Sequence, residues 1–183
     1  MSASRWKRTS SRVVYETPWI RVREDEVVQP DGGQGIYGVV EVRSTAVFAV
    51  ALTDDDEVLM VEVDRYPTGD PDSLEVPAGG SDGQDPLVAV QRELREETGF
   101  AAADWREIGR MNALIGVADA PQVVYLARGL TYVGGEEHAA DGIVGLRRVP
   151  RAEIPDLIVG GAIADASSLA ALLLALVASP DVV

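Results

Sequence analysis

Apolar and polar residues alternate through residues 20–28, and the turn-forming run Pro30-Asp31-Gly32-Gly33 parts this stretch from a second at 36–42, which predicts an N-terminal β-hairpin. Two denser apolar runs at 46–52 and 58–63, separated by Asp54-Asp55-Asp56, read as a second hairpin with one or both faces buried. Leu74 and Val76 flank Glu75 in another short strand. The pattern then changes. Asp85 is a good helix cap, Pro86 suits the first helical position and Gly99 the residue just past the end, so 86–98 is a predicted helix. Strands recur at 105–111, 123–127 and 143–149. Gly160-Gly161 divides a short helix after Arg151 from one beginning near Asp165 or Ser167, whose Leu169, Leu172, Leu173 and Leu176 repeat at helical spacing and are expected in the core. Strands, helix, strands, helices in that order predict helices packed on a mixed sheet, either α+β or a helix-sheet-helix sandwich.

Composition narrows the chemistry. The chain has 183 residues, 46% apolar and 25% charged, the mix of a globular domain rather than a disordered one. Sixteen Lys and Arg against 30 Asp and Glu leave a net charge of -14, which repels a nucleic-acid polyanion, so no nucleic-acid partner is expected. Absence of cysteine removes disulfides, thiolate nucleophiles and Cys-based zinc sites, and His138 is the single histidine. Any demanding chemistry must rest on carboxylates. The longest apolar stretch, 169–178, falls short of the ~20 residues that cross a bilayer, so no membrane span is expected. The basic start, MSASRWKRTSSR, meets Glu16 directly after Val13-Val14-Tyr15, too soon for a secretory signal, and a cytoplasmic location is expected.

The predicted helix carries three close carboxylates. Glu93 and Glu97 are four apart and Glu96 is three from Glu93, so all three can point from neighbouring parts of one face. Repulsion at this spacing costs only ~0.2–0.5 kcal/mol per pair, which solvent or Arg92 and Arg95 can absorb; charge alone does not separate a solvated face from a site for a hard divalent cation. Context does. LEVPAGG lies upstream, a strand running into glycines that let backbone groups approach a ligand closely.

Arg92-Glu93-Leu94-Arg95-Glu96-Glu97-Thr98-Gly99-Phe100 matches every fixed position of the pattern R-E-U-x-E-E-x-G-U, with U a bulky apolar residue. The chain therefore resembles the Nudix hydrolases, whose box runs G, five residues, E, seven residues, and then that pattern. The first half of the box departs from it: the box glutamate falls on Gln84 and the box glycine on Ala78, unless the loop Ser81-Asp82-Gly83 is one residue short. Gln84 cannot carry negative charge, and Asp82 or Asp85 stands near enough in sequence to replace it. The resemblance implies a Nudix-type α/β/α sandwich, α+β in class with a mixed sheet, preceded by a small N-terminal antiparallel sheet. It also implies Mg²⁺ or Mn²⁺ held by Glu93, Glu96, Glu97 and the Ala78 carbonyl, with Glu96 and Glu97 catalytic.

YETPWIRVREDEV, the PDGG turn and GIYGVVEVR extend the resemblance to the ADP-ribose pyrophosphatases within the family. This divides the chain into an N-terminal β-hairpin region, 1–43, expected to form a homodimer, and a catalytic domain, 44–183. By the same resemblance Trp19, Tyr37 and Arg43 are candidate substrate contacts, as is Arg65 in VDRYP, for which an ion pair with Glu75 or Glu62 is the competing role. A later acidic loop, Gly134 to Gly142, should supply a further catalytic carboxylate, Glu137 ahead of Glu136 and Asp141. Ile115-Gly116 stands where those enzymes carry a proline. The implied reaction is hydrolysis of a nucleoside diphosphate linked to another group, ADP-ribose first, to AMP and ribose 5-phosphate. A nucleotide sugar, a dinucleotide cofactor or an oxidised nucleotide is the alternative substrate, and a non-catalytic nucleotide-binding module the alternative class.

Overall fold

The computed structural model describes residues 4–135 and 142–178. The chain divides into two compact units, one built from residues up to 45 with 112–121, the other from 46–111 with residues from 122 onward.

In the first unit, β1 (Lys7–Glu16), β2 (Ile20–Val28) and β3 (Gln34–Val42) form an antiparallel meander, and β9 (Ala118–Asp119) adds in parallel beside β3. The hairpin read from alternation is β2 and β3. Strand β1 was not read, for a physical reason: all ten of its residues are exposed, so no buried face imposes a period of two on KRTSSRVVYE.

The second unit contains β4 (Ala46–Leu52), β5 (Glu57–Arg65), β6 (Asp70–Glu75), β7 (Ala78–Gly80), α1 (Pro86–Thr98), β8 (Phe100–Asn112), β10 (Pro121–Tyr132), β11 (Ile143–Pro150), α2 (Ile154–Val159) and α3 (Ala166–Ala178). Its sheet runs β11-β5-β4-β10-β8, with β6 paired to β5 and β7 to β4. The sheet is mixed: β4 and β10 are parallel, with Val47 opposite Val123, whereas β5 is antiparallel to β4 and to β11.

Period two assigns the two faces. Val47, Ala49 and Ala51 of β4 and Val123, Tyr125 and Ala127 of β10 pack with Ala89, Val90 and Leu94 of α1. The alternate residues, Phe48, Val50, Val124 and Leu126, pack with Ile154 of α2 and Ala171 and Leu172 of α3. Both faces of the central strands are covered, which explains their near-continuous apolar sequences. The layering is the expected α/β/α sandwich, and the N-terminal antiparallel sheet is present. One core assignment is corrected: on α3, Leu172 is buried and Leu169 packs against the core, but Leu173 is 51% exposed, because it falls on the opposite side of the helix from the sheet. No helix among the described residues is long and apolar enough to cross a membrane.

Candidate active site

Local chemistry sets α1. The Asp85 carboxylate accepts the Leu87 N–H at 2.9 Å, Pro86 opens the helix, and Gly99, at φ 74°, closes it by donating its N–H to the Arg95 carbonyl. The apolar stripe of Ala89, Val90 and Leu94 docks on the sheet and carries Glu93 and Glu97 into buried positions, 8% and 7% exposed. Two carboxylates withdrawn from water on one helix need compensation.

The loop opposite supplies part of it. Ala78 donates its N–H to Glu97 Oε2 at 2.8 Å. A Cβ on Gly79 would meet the carboxylate of Glu93, so any side chain here would have to displace that carboxylate from its place against the backbone. Arg92 supplies a further part, to Glu93. Its Nη2 donates to Glu93 Oε1 at 2.7 Å and to the Gly80 carbonyl at 3.0 Å, and its Nη1 donates to Glu96 Oε2 at 2.8 Å. Burial opposes the charge on Arg92, yet the bonds and fields of Glu96 and Glu93 outweigh it and hold its pKa above the ordinary arginine value. Gln84 lies beside this cluster, its Oε1 at 3.4 Å from Arg92 Nε, and Asp85 is spent on the helix cap.

Arg65, at the end of β5, forks onto buried Glu75 of β6, Nε to Oε1 at 2.8 Å and Nη2 to Oε2 at 2.6 Å. The hydrogen bond to Glu75 raises the Arg65 pKa, burial opposes this, and the fields of Glu75, Asp165 and Glu97 add to the rise. The guanidinium therefore sits within the field of the carboxylate helix, with Nη1 outside the fork. The ends of the later acidic loop are tied to the same neighbourhood: Gly134 donates to the carbonyl of Gly99, just past α1, and Asp64, next to Arg65, donates to the carbonyl of Gly142. Glu137, with Glu136, His138 and Asp141, lies outside the described residues.

The N-terminal candidates do not form one group within the chain. Trp19 is 75% exposed in the β1–β2 turn, and its carbonyl accepts the Arg43 N–H. The Arg43 side chain is engaged by Glu16, Nη1 to Oε1 at 2.6 Å. Tyr37 lies six residues up β3 from Arg43, roughly 20 Å away at ~3.3 Å per residue. Its hydroxyl donates to the Gly116 carbonyl at 2.7 Å, and its ring meets Trp6 edge-on at 5.4 Å. Those two rings line an open groove of about 390 Å³ with Arg8, Arg23 and Asp25.

Among the described residues no three Asp, Glu or His side chains converge into a ready-made metal cage. None is needed for Mg²⁺ or Mn²⁺ bound through one or two carboxylates together with substrate phosphates. The donors fit: buried Glu93 and Glu97 face a loop whose backbone approaches them closely because Gly79 has no side chain, and all donors are oxygen. Glu96 is turned to Arg92. Sequence singled out the three glutamates, offered Arg92 and Arg95 as charges that absorb their repulsion, and offered Glu75 or Glu62 as the ion-pair partner of Arg65; the structure gives Arg92 to Glu93 and Glu96, and Arg65 to Glu75.

Comparison with known proteins adds independent findings. The NUDIX domain pattern matches residues 42–171, and the pattern of the nucleoside diphosphate sugar hydrolase N-terminal domain matches residues 6–40. The chain is 32% identical to the ADP-ribose pyrophosphatase of Mycobacterium tuberculosis, over 94% of this chain and 84% of that protein. It is 28% identical to the CMP-5'-(N-acetyl-N-hydroxy-3-aminopropyl)phosphonate hydrolase of Streptomyces rubellomurinus, over 86% of this chain and 75% of that protein. A crystal structure of an ADP compounds hydrolase superposes with a TM-score of 0.86 at 20% identity, covering 99% of this chain and 97% of that one, a likeness of fold.

Proposed function

The chain belongs to the Nudix family, as a pyrophosphohydrolase, and on that footing we propose that it hydrolyses the diphosphate of ADP-ribose to AMP and ribose 5-phosphate. The observation that carries most weight is the pair of buried carboxylates, Glu93 and Glu97, set against the Ala78–Gly80 loop by Arg92 and by the Ala78 N–H. A pair of carboxyl groups buried at a glycine loop is costly unless it serves a cation and a phosphate. The 32% identity to an ADP-ribose pyrophosphatase supports the choice of substrate.

Glu93, Glu97, Glu96 and the Ala78 carbonyl would hold a divalent cation, Mg²⁺ or Mn²⁺, whose Lewis acidity draws charge from the diphosphate and lowers the pKa of water. Arg65, kept cationic and oriented by Glu75, offers Nη1 to a diphosphate oxygen. Glu137 takes the proton of the attacking water or orients it. A new bond from water oxygen to phosphorus forms, the P–O anhydride bond breaks, and two monophosphates leave. Trp19 and Tyr37 are assigned to the adenine and Arg43 to the phosphates, with Tyr37 and Arg43, which lie apart along β3, serving one substrate from different protomers of a dimer. Because Trp19, Ile36, Leu114 and Ile115 are exposed apolar residues of the N-terminal unit, the same proposal makes the enzyme a homodimer through that unit. The cytoplasm is the assigned compartment. Ile115-Gly116 and the relative that cleaves a CMP conjugate favour one second reading, another nucleoside diphosphate conjugate as the preferred substrate.

The test is incubation of purified protein with ADP-ribose and a panel of nucleotide sugars, dinucleotides and triphosphates, with Mg²⁺, Mn²⁺ or chelator, and chromatography of products. Metal-dependent AMP from ADP-ribose is expected. Preference for another conjugate would move the substrate, and no cleavage of any would overturn the catalytic assignment. Light scattering of Ile36→Asp tests the dimer: a monomer is expected, and an unchanged mass would overturn the assigned interface.

A further inference from the structure

The strand that delivers the glycine loop changes partners as it arrives. Glu75 is the last residue of β6 to pair with β5, opposite Val61, and Ala78 is the first of β7 to pair with β4, opposite Phe48. Val76 and Pro77 bridge the two ladders. The Pro77 carbonyl accepts the Ala49 N–H, Pro77 has no N–H to place, and the Ala78 N–H goes to Glu97. The Val76 N–H, in a buried position, goes to the hydroxyl of Ser168 at 3.1 Å.

Ser168 is fully buried and lies in the first turn of α3, far away in sequence. That turn is itself fixed. The Asp165 carboxylate caps it, accepting the Ser168 N–H at 2.7 Å, and Gln122 of β10 donates to the Ser167 hydroxyl at 3.0 Å. The carboxylate of Asp165 also contributes to the field on Arg65. One helix end thus touches the strand step before the loop, the sheet beneath it, and the field of its arginine.

We propose that Ser168, oriented by the Asp165 cap, is a positioning residue that fixes the Val76–Pro77 step and through it the Ala78 N–H against Glu97 and the Ala78–Gly80 loop against Glu93. This deepens the proposed hydrolase reading and rests on it for its catalytic consequence. Groups that orient metal-binding side chains from one shell out are worth about tenfold to a hundredfold in metal affinity or activity.

The experiment uses the full chain carrying Ser168→Ala, with Ile154→Val, a buried change on α2 that leaves the Ser168 hydroxyl in place, as the control for lost stability. Amide exchange at Ala78 and Mn²⁺ binding by calorimetry are measured first, without substrate, and then kcat and KM. Ser168→Ala should expose the Ala78 amide to faster exchange, weaken Mn²⁺ binding about tenfold and lower kcat more than it changes KM. Ser168→Thr, which keeps the hydroxyl, should restore Ala78 protection in part. Wild-type protection and Mn²⁺ binding in Ser168→Ala would overturn the proposal, as would the same losses in Ile154→Val. Because both primary readouts need no substrate, failure of the wild-type chain to cleave ADP-ribose would sink the substrate assignment and leave this test intact.

Discussion

Both units of the molecule are laced with arginine–carboxylate pairs at similar distances. The pairs around the carboxylate helix differ from those of the N-terminal sheet in which partner meets water, whereas Arg110–Glu107 and Arg151–Asp56, elsewhere in the second unit, have exposed acids like the N-terminal ones. In the N-terminal sheet Arg12 pairs with Glu24 at 2.8 Å and Arg21 with Glu16 at 2.8 Å, and both members of each pair are open to solvent. In the catalytic unit Arg92 pairs with Glu93 at 2.7 Å and Arg65 with Glu75 at 2.6 Å, and there the acid is buried while the arginine lies over it. Exposed pairs trade one hydration shell for another and are close to neutral; a buried acid stripped of its partner retains the full cost of desolvation. Asp25 is the one buried acid of the N-terminal sheet, served by the Ser11 hydroxyl and by Arg8 and Arg23. Distance does not rank these pairs. Burial of the carboxylate does.

The largest expected effect is therefore at the buried acids of α1. Glu97→Gln keeps the shape and an acceptor for the Ala78 N–H but removes the charge, so turnover should fall by about 10²–10³-fold while the circular dichroism spectrum stays that of the wild type. Retention of most activity would show that burial alone does not mark the working carboxylates. Gly79→Ala follows. Its methyl would occupy the place of the Glu93 carboxylate, which must swing away from Arg92; we expect a loss of about 1–3 kcal/mol in urea denaturation, together with loss of activity.

What could be read beforehand and what could not follows the same division between local and distant causes. The ends of α1 were legible because Asp85, Pro86 and Gly99 act within a turn of where they stand. The two faces of β4 were legible in outline because a buried strand needs apolar residues at every position. Strand β1 has no buried face and left no period. The reason for Gly79 lies in Glu93, the partner of Val76 is Ser168, and the segment 112–121 returns to the N-terminal unit from far along the chain. None of these has a local signature. The exposure of Leu173 is a smaller instance: helical spacing places leucines on a stripe, but where the stripe ends is decided by the sheet beneath it.

Removing the arginine that lies over a buried acid should cost more than removing one between exposed groups. Arg65→Ala leaves Glu75 buried without its fork and is expected to cost about 1–3 kcal/mol, read from the urea midpoint, with a rise in KM for the diphosphate substrate. Arg65→Lys keeps the charge but not the two-pronged geometry, so it should recover part of the stability and less of the binding. Equal stability of Arg65→Ala and wild type would place this pair with the exposed ones.

The smallest effect sharpens the comparison most. The hydrogen bond and field of Arg21, with a lesser part from Arg43, hold the Glu16 carboxyl below its ordinary pKa. A carboxyl lowered on folding stabilises the folded state above its unfolded value of about 4.3 and loses that contribution as the pH falls through the lower folded value. Glu16→Gln should therefore be nearly silent at pH 7 in 1 M salt, where the screening length shrinks to about 3 Å, and show a small loss in low salt that fades on acidification. Thermal melts at pH 7 and pH 3, each at low and high salt, measure it. The fork of Arg65 on Glu75 should keep most of its effect in 1 M salt, since water and ions do not reach the buried carboxylate. If the two pairs respond alike to salt, burial of the acid is not what separates the two regions.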